Sequence, residues 1–264
     1  MVQATLRFIT PTGEKPFSVP SIAGGRLERN SAPVEEHVVD IRDARREATP
    51  GSIAEHGFEL IAFETRVSDF LNDRELDDVL AGEVTRALES MTQAREVVVF
   101  DFTRRTDDMR LRNELGLREA STIAHNDYTP ESARQRVRDF FPKDADERLS
   151  NRFAILNLWK TFRDPVESTP LALSDGRTVA KQDLVRTERR ADDRIGEIYQ
   201  LRFNPDSRWY FYPAMTDREA LVFKTYDSSP EGAPFAPHCA FRNPLASRDA
   251  PPRCSIEARC FVFY

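Results

Sequence analysis

From residue 152 onward the chain is a succession of short β-prone runs separated by turn residues, and this pattern most narrows what it can become. Runs at 152–159, 197–203, 209–212, 221–226 and 254–264 are rich in Val, Ile, Phe, Tyr and Trp. Such runs indicate a sandwich or barrel, not a parallel sheet with crossover helices. The Asn204-Pro205-Asp206 turn predicts that 197–203 and 209–212 pair as a hairpin. The aromatic run Trp209-Tyr210-Phe211-Tyr212 places large rings on both faces of one strand, as a sandwich interior requires.

The first half is mixed. Residues 6–9, 35–41, 58–63 and 97–102 read as strands, and the Pro/Gly-rich stretch 11–25 as loop. Leu76, Val79, Leu80, Val84 and Leu88 recur at helical spacing across 73–92. Residues 121–128 read as a strand. Thr129-Pro130 then opens a helix to about Phe141, with a capping residue followed by Pro at the first helical position. The expected fold is therefore mainly β with flanking helices, one domain over 1–264, with a variable part at 1–55 and the β core over 95–264.

Composition excludes several classes. Hydrophobic residues at 40% and charged residues at 31% suit a packed core, not a disordered chain. With 38 basic against 44 acidic residues, no basic field for nucleic acid stands out. The arginine-rich stretches 104–105, 110–112 and 186–190 all carry nearby acids and are expected to be solvated faces. No run of about 18 apolar residues predicts a membrane span, and residues 1–11 lack the pattern of a secretion signal. Cys239, Cys254 and Cys260 have neither the spacing of a disulfide framework nor a C-x-x-C pair, which fits a reducing, cytoplasmic setting. Ten glycines and no Gly-rich strand-to-helix loop argue against a nucleotide-binding fold.

The chemistry is carried by few residues. The four histidines are His37, His56, His125 and His238. His125-Asn126-Asp127 is an H-x-D on an expected strand, where positions i and i+2 share a face. One imidazole and one carboxylate would then enter the same cavity. His238, more than a hundred residues downstream, is the candidate third ligand. Two histidines and one carboxylate form the facial set that leaves open positions on iron(II). Alone, H-x-D arises often by chance. Arg253 and Ser255 add a guanidinium and a hydroxyl on one strand face, a pair suited to the distal carboxylate of 2-oxoglutarate. Arg259 falls on the same face, as an alternative anchor or a substrate clamp. The competing reading pairs these arginines with Glu257 or Asp249 at the surface.

Several ordered segments together resemble a known family, the CmcJ-like (AsaB-like) hydroxylase/desaturases of secondary metabolism. They include His125-Asn126-Asp127-Tyr128-Thr129, Asn157-Leu158-Trp159-Lys160, Arg208-Trp209-Tyr210-Phe211-Tyr212-Pro213, Phe223-Lys224-Thr225-Tyr226-Asp227, Pro237-His238-Cys239-Ala240-Phe241 and Arg253-Cys254-Ser255-Ile256-Glu257-Ala258-Arg259. The resemblance runs from about residue 57 to the end. It implies a double-stranded β-helix (jelly-roll, cupin-like) oxygenase that uses Fe(II) and 2-oxoglutarate. Lys160, Cys239 and Cys254 depart from the Arg, Thr and Glu usual there, and residues 1–55 match least.

Tyr128, Asn157, Trp159 and Lys224 are the candidate cavity residues. Asn157 interrupts an apolar strand and needs a hydrogen-bonding partner, either a ligand or a neighbour. Lys224 could meet a substrate or cofactor carboxylate, or form a structural ion pair. The expected reaction on a small metabolite with dioxygen is hydroxylation, desaturation or ring closure. Aziridine formation on an amino acid such as valine is one version that the superfamily suggests. The alternatives are an oxoacid-independent iron oxidase, a zinc hydrolase on the same ligands, and a non-catalytic accessory protein of the same fold.

Overall fold

The computed structural model describes residues 1–47, 51–163 and 165–264. The strands in chain order are β1 Val2–Ile9, β2 Phe17–Val19, β3 Arg29–Asn30, β4 Val34–Asp43, β5 Phe58–Ala62, β6 Glu96–Thr106, β7 Arg118–Glu119 and β8 His125–Asn126. They continue with β9 Phe153–Arg163, β10 Leu171–Ser174, β11 Leu184–Arg190, β12 Ile195–Leu201, β13 Trp209–Phe211, β14 Glu219–Asp227, β15 His238–Ala240 and β16 Cys254–Phe263. One sheet has the order β1-β4-β13-β10-β15-β8-β12-β11-β2-β3, the other β5-β14-β9-β16-β6-β7. From β13 to β16 consecutive strands alternate between the two sheets. This winding is the double-stranded β-helix, and it brings β8, β15 and β16 around one interior.

The alternation of β16 explains how that interior becomes polar. Ile256, Ala258, Cys260 and Val262 point outward and pack with Leu80, Val84 and Leu88 of the helical segment 73–92. Val84 and Leu88 are fully buried there, each contributing about 1.5–3 kcal/mol by burial. The opposite face carries Ser255, Glu257 and Arg259 and then turns apolar at Phe261 and Phe263. Those two rings pack with Val137 of the helix Pro130–Phe140, which closes that end. The helical segment 73–92 forms at the expected place, with a π-helical turn at Leu76–Leu80.

Three expectations need correcting. β12 and β13 do not pair: β12 lies between β11 and β8, and β13 between β10 and β4. Pairing with β4 buries Trp209 and Phe211 with Leu6, Phe8 and Ile41, and this distant burial outweighs the local turn. Tyr210 and Tyr212 pack into a different cluster, with Leu173 and Phe223, so the aromatic run is core on both faces. The sheets also take β1 and β4 from the N-terminal part, so the β core is not confined to 95–264, and β2 lies inside the stretch read as loop. Finally, the arginine-rich stretches are not all solvated. Arg112 is buried and donates to the backbone carbonyls of Ile22 and Arg26 at 3.2 Å. Arg105 lines the interior, and Arg189 meets Glu28 at 2.5 Å.

No helix of the described residues is long and apolar enough to cross a membrane.

Candidate metal centre

β8 has only two residues, yet it is hydrogen-bonded on both sides, to β12 and to β15. In the antiparallel pairing with β15, His238 stands directly opposite His125. Opposed residues of neighbouring antiparallel strands project from one face with Cβ atoms about 4.5–5.5 Å apart. The two imidazoles, distant in sequence, thus meet with ring centroids 4.5 Å apart. Nδ1 of His125 faces the Ile123 carbonyl at 2.7 Å, and Nδ1 of His238 faces that of Ala236 at 3.3 Å. An Nδ1–H donated to each carbonyl leaves the Nε2 lone pairs for a metal.

Asp127 reaches the same point by a different route from the one expected. The strand stops at Asn126, and Asp127 lies in the bend that follows. The buried Asn126 amide holds this bend, donating to the carbonyls of Tyr128 at 2.8 Å and Thr225 at 2.9 Å. Thr129 then caps the next helix, its Oγ1 accepting from the Ser132 N–H at 3.2 Å. Ligand atoms of His125, Asp127 and His238 all lie within 4.8 Å of one another.

The surroundings set the charge states. Burial opposes ionisation of Asp127, but Arg259 and the two histidines outweigh it and hold the carboxyl well below the usual range. Burial, with His238 close by, pushes His125 down to about 4, so its imidazole is neutral and able to ligate. Oδ2 of Asp127 accepts from Nδ2 of Asn157 at 3.0 Å and from Nε of Arg259 at 3.1 Å. Oδ1 is the oxygen nearer His125, 3.6 Å from its Nε2. Two imidazoles and one ionised carboxylate, with no thiolate among them, fit iron(II).

Beside the histidines lies a narrow chamber lined by His125, His238, Trp159, Leu171, Arg105 and Arg253. Arg253 is buried, its guanidinium 5.6 Å from the Trp159 ring centre, with Nη1 donating to the Thr169 carbonyl at 2.9 Å. Its Nε and the Oγ of Ser255 are buried without a partner among the described residues. Burial lowers the Arg253 pKa to about 10. Buried polar atoms of this kind are normally satisfied, so two orphans beside a cationic group mark a place for a small anionic ligand. They fit the distal carboxylate of 2-oxoglutarate.

A second, larger cavity of about 610 Å³ opens on the other side of His125 and Asp127. Tyr128 and Arg259 line it, and burial pushes the Tyr128 hydroxyl up to about 12. Arg259 is not free to clamp a ligand. Besides Asp127, it binds Asp101 at 2.5 Å, Thr103 at 2.9 Å and Glu257 at 2.6 Å. The expected surface pairing with Glu257 does form, but in the interior. Asn157 turns its amide to Asp127, which makes it a support for that carboxylate.

Lys224 lines neither of these cavities. Its ammonium is buried against Asp227 at 2.9 Å and the Ala233 carbonyl at 3.1 Å, so the structural ion pair replaces the substrate role. Trp159 forms a wall of the narrow chamber, beneath Arg253. The sequence assigns no site role to Asp101, Thr103 or Arg105, and places Glu257 at the surface. Their signal was present: Asp101, Thr103 and Arg105 alternate along one face of β6, just as Ser255, Glu257 and Arg259 alternate along β16.

Comparison with known proteins places this geometry in context. Residues 6–263 match the family model described as an oxidoreductase/YMDC permease-like domain. The chain is 33% identical over 242 residues to the Fe(II)/2-oxoglutarate-dependent dioxygenase nvfI of Aspergillus novofumigatus, covering 86% of this chain and 83% of that protein. It is 28% identical over 272 residues to the hydroxylase/desaturase CTB9 of Cercospora beticola, covering 92% and 81%. Among solved structures, the iron and alpha-ketoglutarate-dependent endoperoxidase NvfI superposes with a TM-score of 0.84 at 27% identity, covering 99% of this chain and 97% of that one.

Proposed function

The chain belongs to the AsaB-like hydroxylase/desaturase family of non-haem iron(II)- and 2-oxoglutarate-dependent dioxygenases of secondary metabolism, and we propose that it oxidises a drug-sized metabolite with iron on His125, Asp127 and His238 and the oxoacid on Arg253 and Ser255. The observation that carries this reading is the convergence of His125, Asp127 and His238, with Arg253, its Nε orphaned, in the chamber beside the two histidines and the orphaned Ser255 Oγ two residues further along the chain.

Bound iron(II) and 2-oxoglutarate would supply the activation of dioxygen, the oxidant, with the oxoacid giving up two electrons and leaving as succinate and carbon dioxide. The protein's own part is positional. The Ile123 and Ala236 carbonyls orient the imidazoles, and Asn157 with Arg259 holds the outer oxygen of Asp127. Arg253 and Ser255 would fix the distal carboxylate so that the keto-acid end faces the histidines. The larger cavity would present a substrate C–H bond to the opposite side and keep bulk water away.

Cavities of about 300–1,000 Å³ hold drug-sized ligands. At about 610 Å³, this one suits a metabolite of several rings. A lone amino acid such as valine, closed to an aziridine, would fill only a small part. The outcome on the larger body is hydroxylation, desaturation or ring closure.

The test is anaerobic titration with iron(II) and 2-oxoglutarate, following the weak visible charge-transfer band of the chelate. The band should develop in the wild type and require far more oxoacid in Arg253→Ala. An unchanged requirement places the oxoacid elsewhere. Product mass on a candidate substrate then separates gain of oxygen from loss of two hydrogens.

A further inference from the structure

The cations and carboxylates lining the large cavity are equal in number, but they do not all pair with one another. Lys15 pairs with Glu197 at 2.8 Å and Arg189 with Glu28 at 2.5 Å, while Arg259 is held by three carboxylates. Arg105, Arg118, Arg136 and Arg194 also line the cavity, and no carboxylate of the described residues lies within ion-pair distance of them; Arg105 donates instead to the Glu119 carbonyl at 2.9 Å. Arg118 sits on β7 beside Arg105 of β6, and Arg136 comes from the helix that follows Asp127. The Arg136 guanidinium lies 4.5 Å from the Phe140 ring centre and 5.5 Å from that of Phe100, with Nε buried and unpartnered among the described residues. Arg194 is exposed in the turn before β12.

The acids of the same cavity are largely engaged. Glu131 and Glu197 take Arg186, Asp101 takes Arg259, and Glu188 takes Arg190. Asp139 accepts from Gln135 at 2.8 Å and is exposed, as is Asp193. Arg105, Arg118 and Arg136 are therefore partly buried with no ion pair among the described residues, and such guanidiniums are costly unless an anion joins them. Phe100, Tyr128 and Ile198 supply an apolar wall beside them.

We infer that the substrate is an organic carboxylate with a large apolar body, its carboxylate held by Arg118 and Arg136 with Arg194 at the mouth. The inference rests on the reading that this cavity is the substrate site. A guanidinium fork matches a carboxylate in two parallel hydrogen bonds, and the stacking rings keep Arg136 extended for it. Burial lowers the pKa of both arginines, Arg118 further through Arg259 and Arg136 through Arg194, against smaller opposing effects of carboxylates such as Asp101. This cradle differs from the pair named from the sequence, since Arg259 and Lys224 already have carboxylate partners.

The test compares two probes of one shape, 2-naphthoate and neutral 2-naphthamide, by fluorescence titration. The protein is held anaerobic with iron(II) and saturating 2-oxoglutarate, so that the Arg253 chamber is filled. Naphthoate should bind about ten- to a hundredfold more tightly than naphthamide, the range of one or two charge-assisted hydrogen bonds. The preference should shrink in Arg118→Gln and Arg136→Gln, while naphthamide binding stays level and shows that the cavity is intact. No preference for naphthoate, or a preference that both variants retain, overturns the inference. Repeating the titration without iron separates the two readings. A naphthoate preference that the variants lose in the iron-free protein as well stands on the cradle alone, and failure of the iron–oxoacid band in the complete mixture would then count against the oxygenase reading only.

Discussion

Arg259 donates its Nε proton to Oδ2 of Asp127 at 3.1 Å, across 132 positions of sequence. The same guanidinium reaches Asp101, Thr103 and Glu257, so one cation fixes one oxygen of the candidate ligand and neutralises its acidic neighbours. Lysine keeps the charge but cannot serve all four acceptors. Arg259→Lys should lower iron(II) affinity about ten- to a hundredfold, the usual effect of losing support behind a metal ligand. Anaerobic titration measures this; unchanged affinity would mean that Asn157 alone orients Asp127.

His125→Ala and His238→Ala should each abolish the iron–oxoacid band and succinate release. Each variant leaves a two-ligand site. Retained turnover in either would remove that histidine from the ligand set.

Ser255→Ala should raise the 2-oxoglutarate KM several-fold, in line with about 1 kcal/mol for one neutral hydrogen bond. Arg253→Gln should raise it on the order of ten- to a hundredfold. A thermal melt of each variant distinguishes lost binding from lost folding. Equal KM values for wild type and Ser255→Ala would show that the hydroxyl never meets the oxoacid.

Asp227 offers a stability prediction remote from the site. Burial works against its ionisation, yet Arg152 and Lys224 win, and the carboxyl is lower than the ordinary 3.8. Because the folded value is the lower one, its stabilisation is present above the unfolded pKa and is lost as pH falls through the folded one. Asp227→Asn should cost about 3–5 kcal/mol near neutrality, since it leaves Lys224 buried without its carboxylate. The gap between the two proteins should narrow as urea melts are taken from about pH 5 downward. A constant gap down that series would show that Asp227 does not drive the acid limb.

The three candidate ligands illustrate how unevenly the sequence could be read. His125 and Asp127 stood out as an H-x-D, but the reason offered, two side chains on one strand face, differs from the geometry. Asp127 has left the strand, and the buried Asn126 amide turns it inward. Tyr128 was placed beside the site, and Asn157 behind Asp127 is one of the two partners weighed for it. For Lys224 the structural ion pair, one of the two roles weighed, is what forms, with Asp227 three residues on; the apolar run around it does not reveal which role wins.

The sequence by itself determined the class of the fold and the kinds of chemistry available. Short alternating runs can bury their apolar faces only by stacking sheets, and helical spacing at 73–92 creates a stripe that must cover one of them. Which strands became neighbours was decided only in three dimensions. Long-range burial of Trp209 and Phe211 against β1 and β4 overrode the local turn before β13. The register of β8 against β15 set His238 opposite His125, and that of β16 against β6 set Arg259 beside Asp101. Hydrogen bonding between strands depends on backbone alignment across the whole sheet, so no local window of residues carries it. The same closure buried Arg105, Arg253 and Arg259 and left Arg118 and Arg136 with no ion pair among the described residues, although all five look alike as letters in the chain.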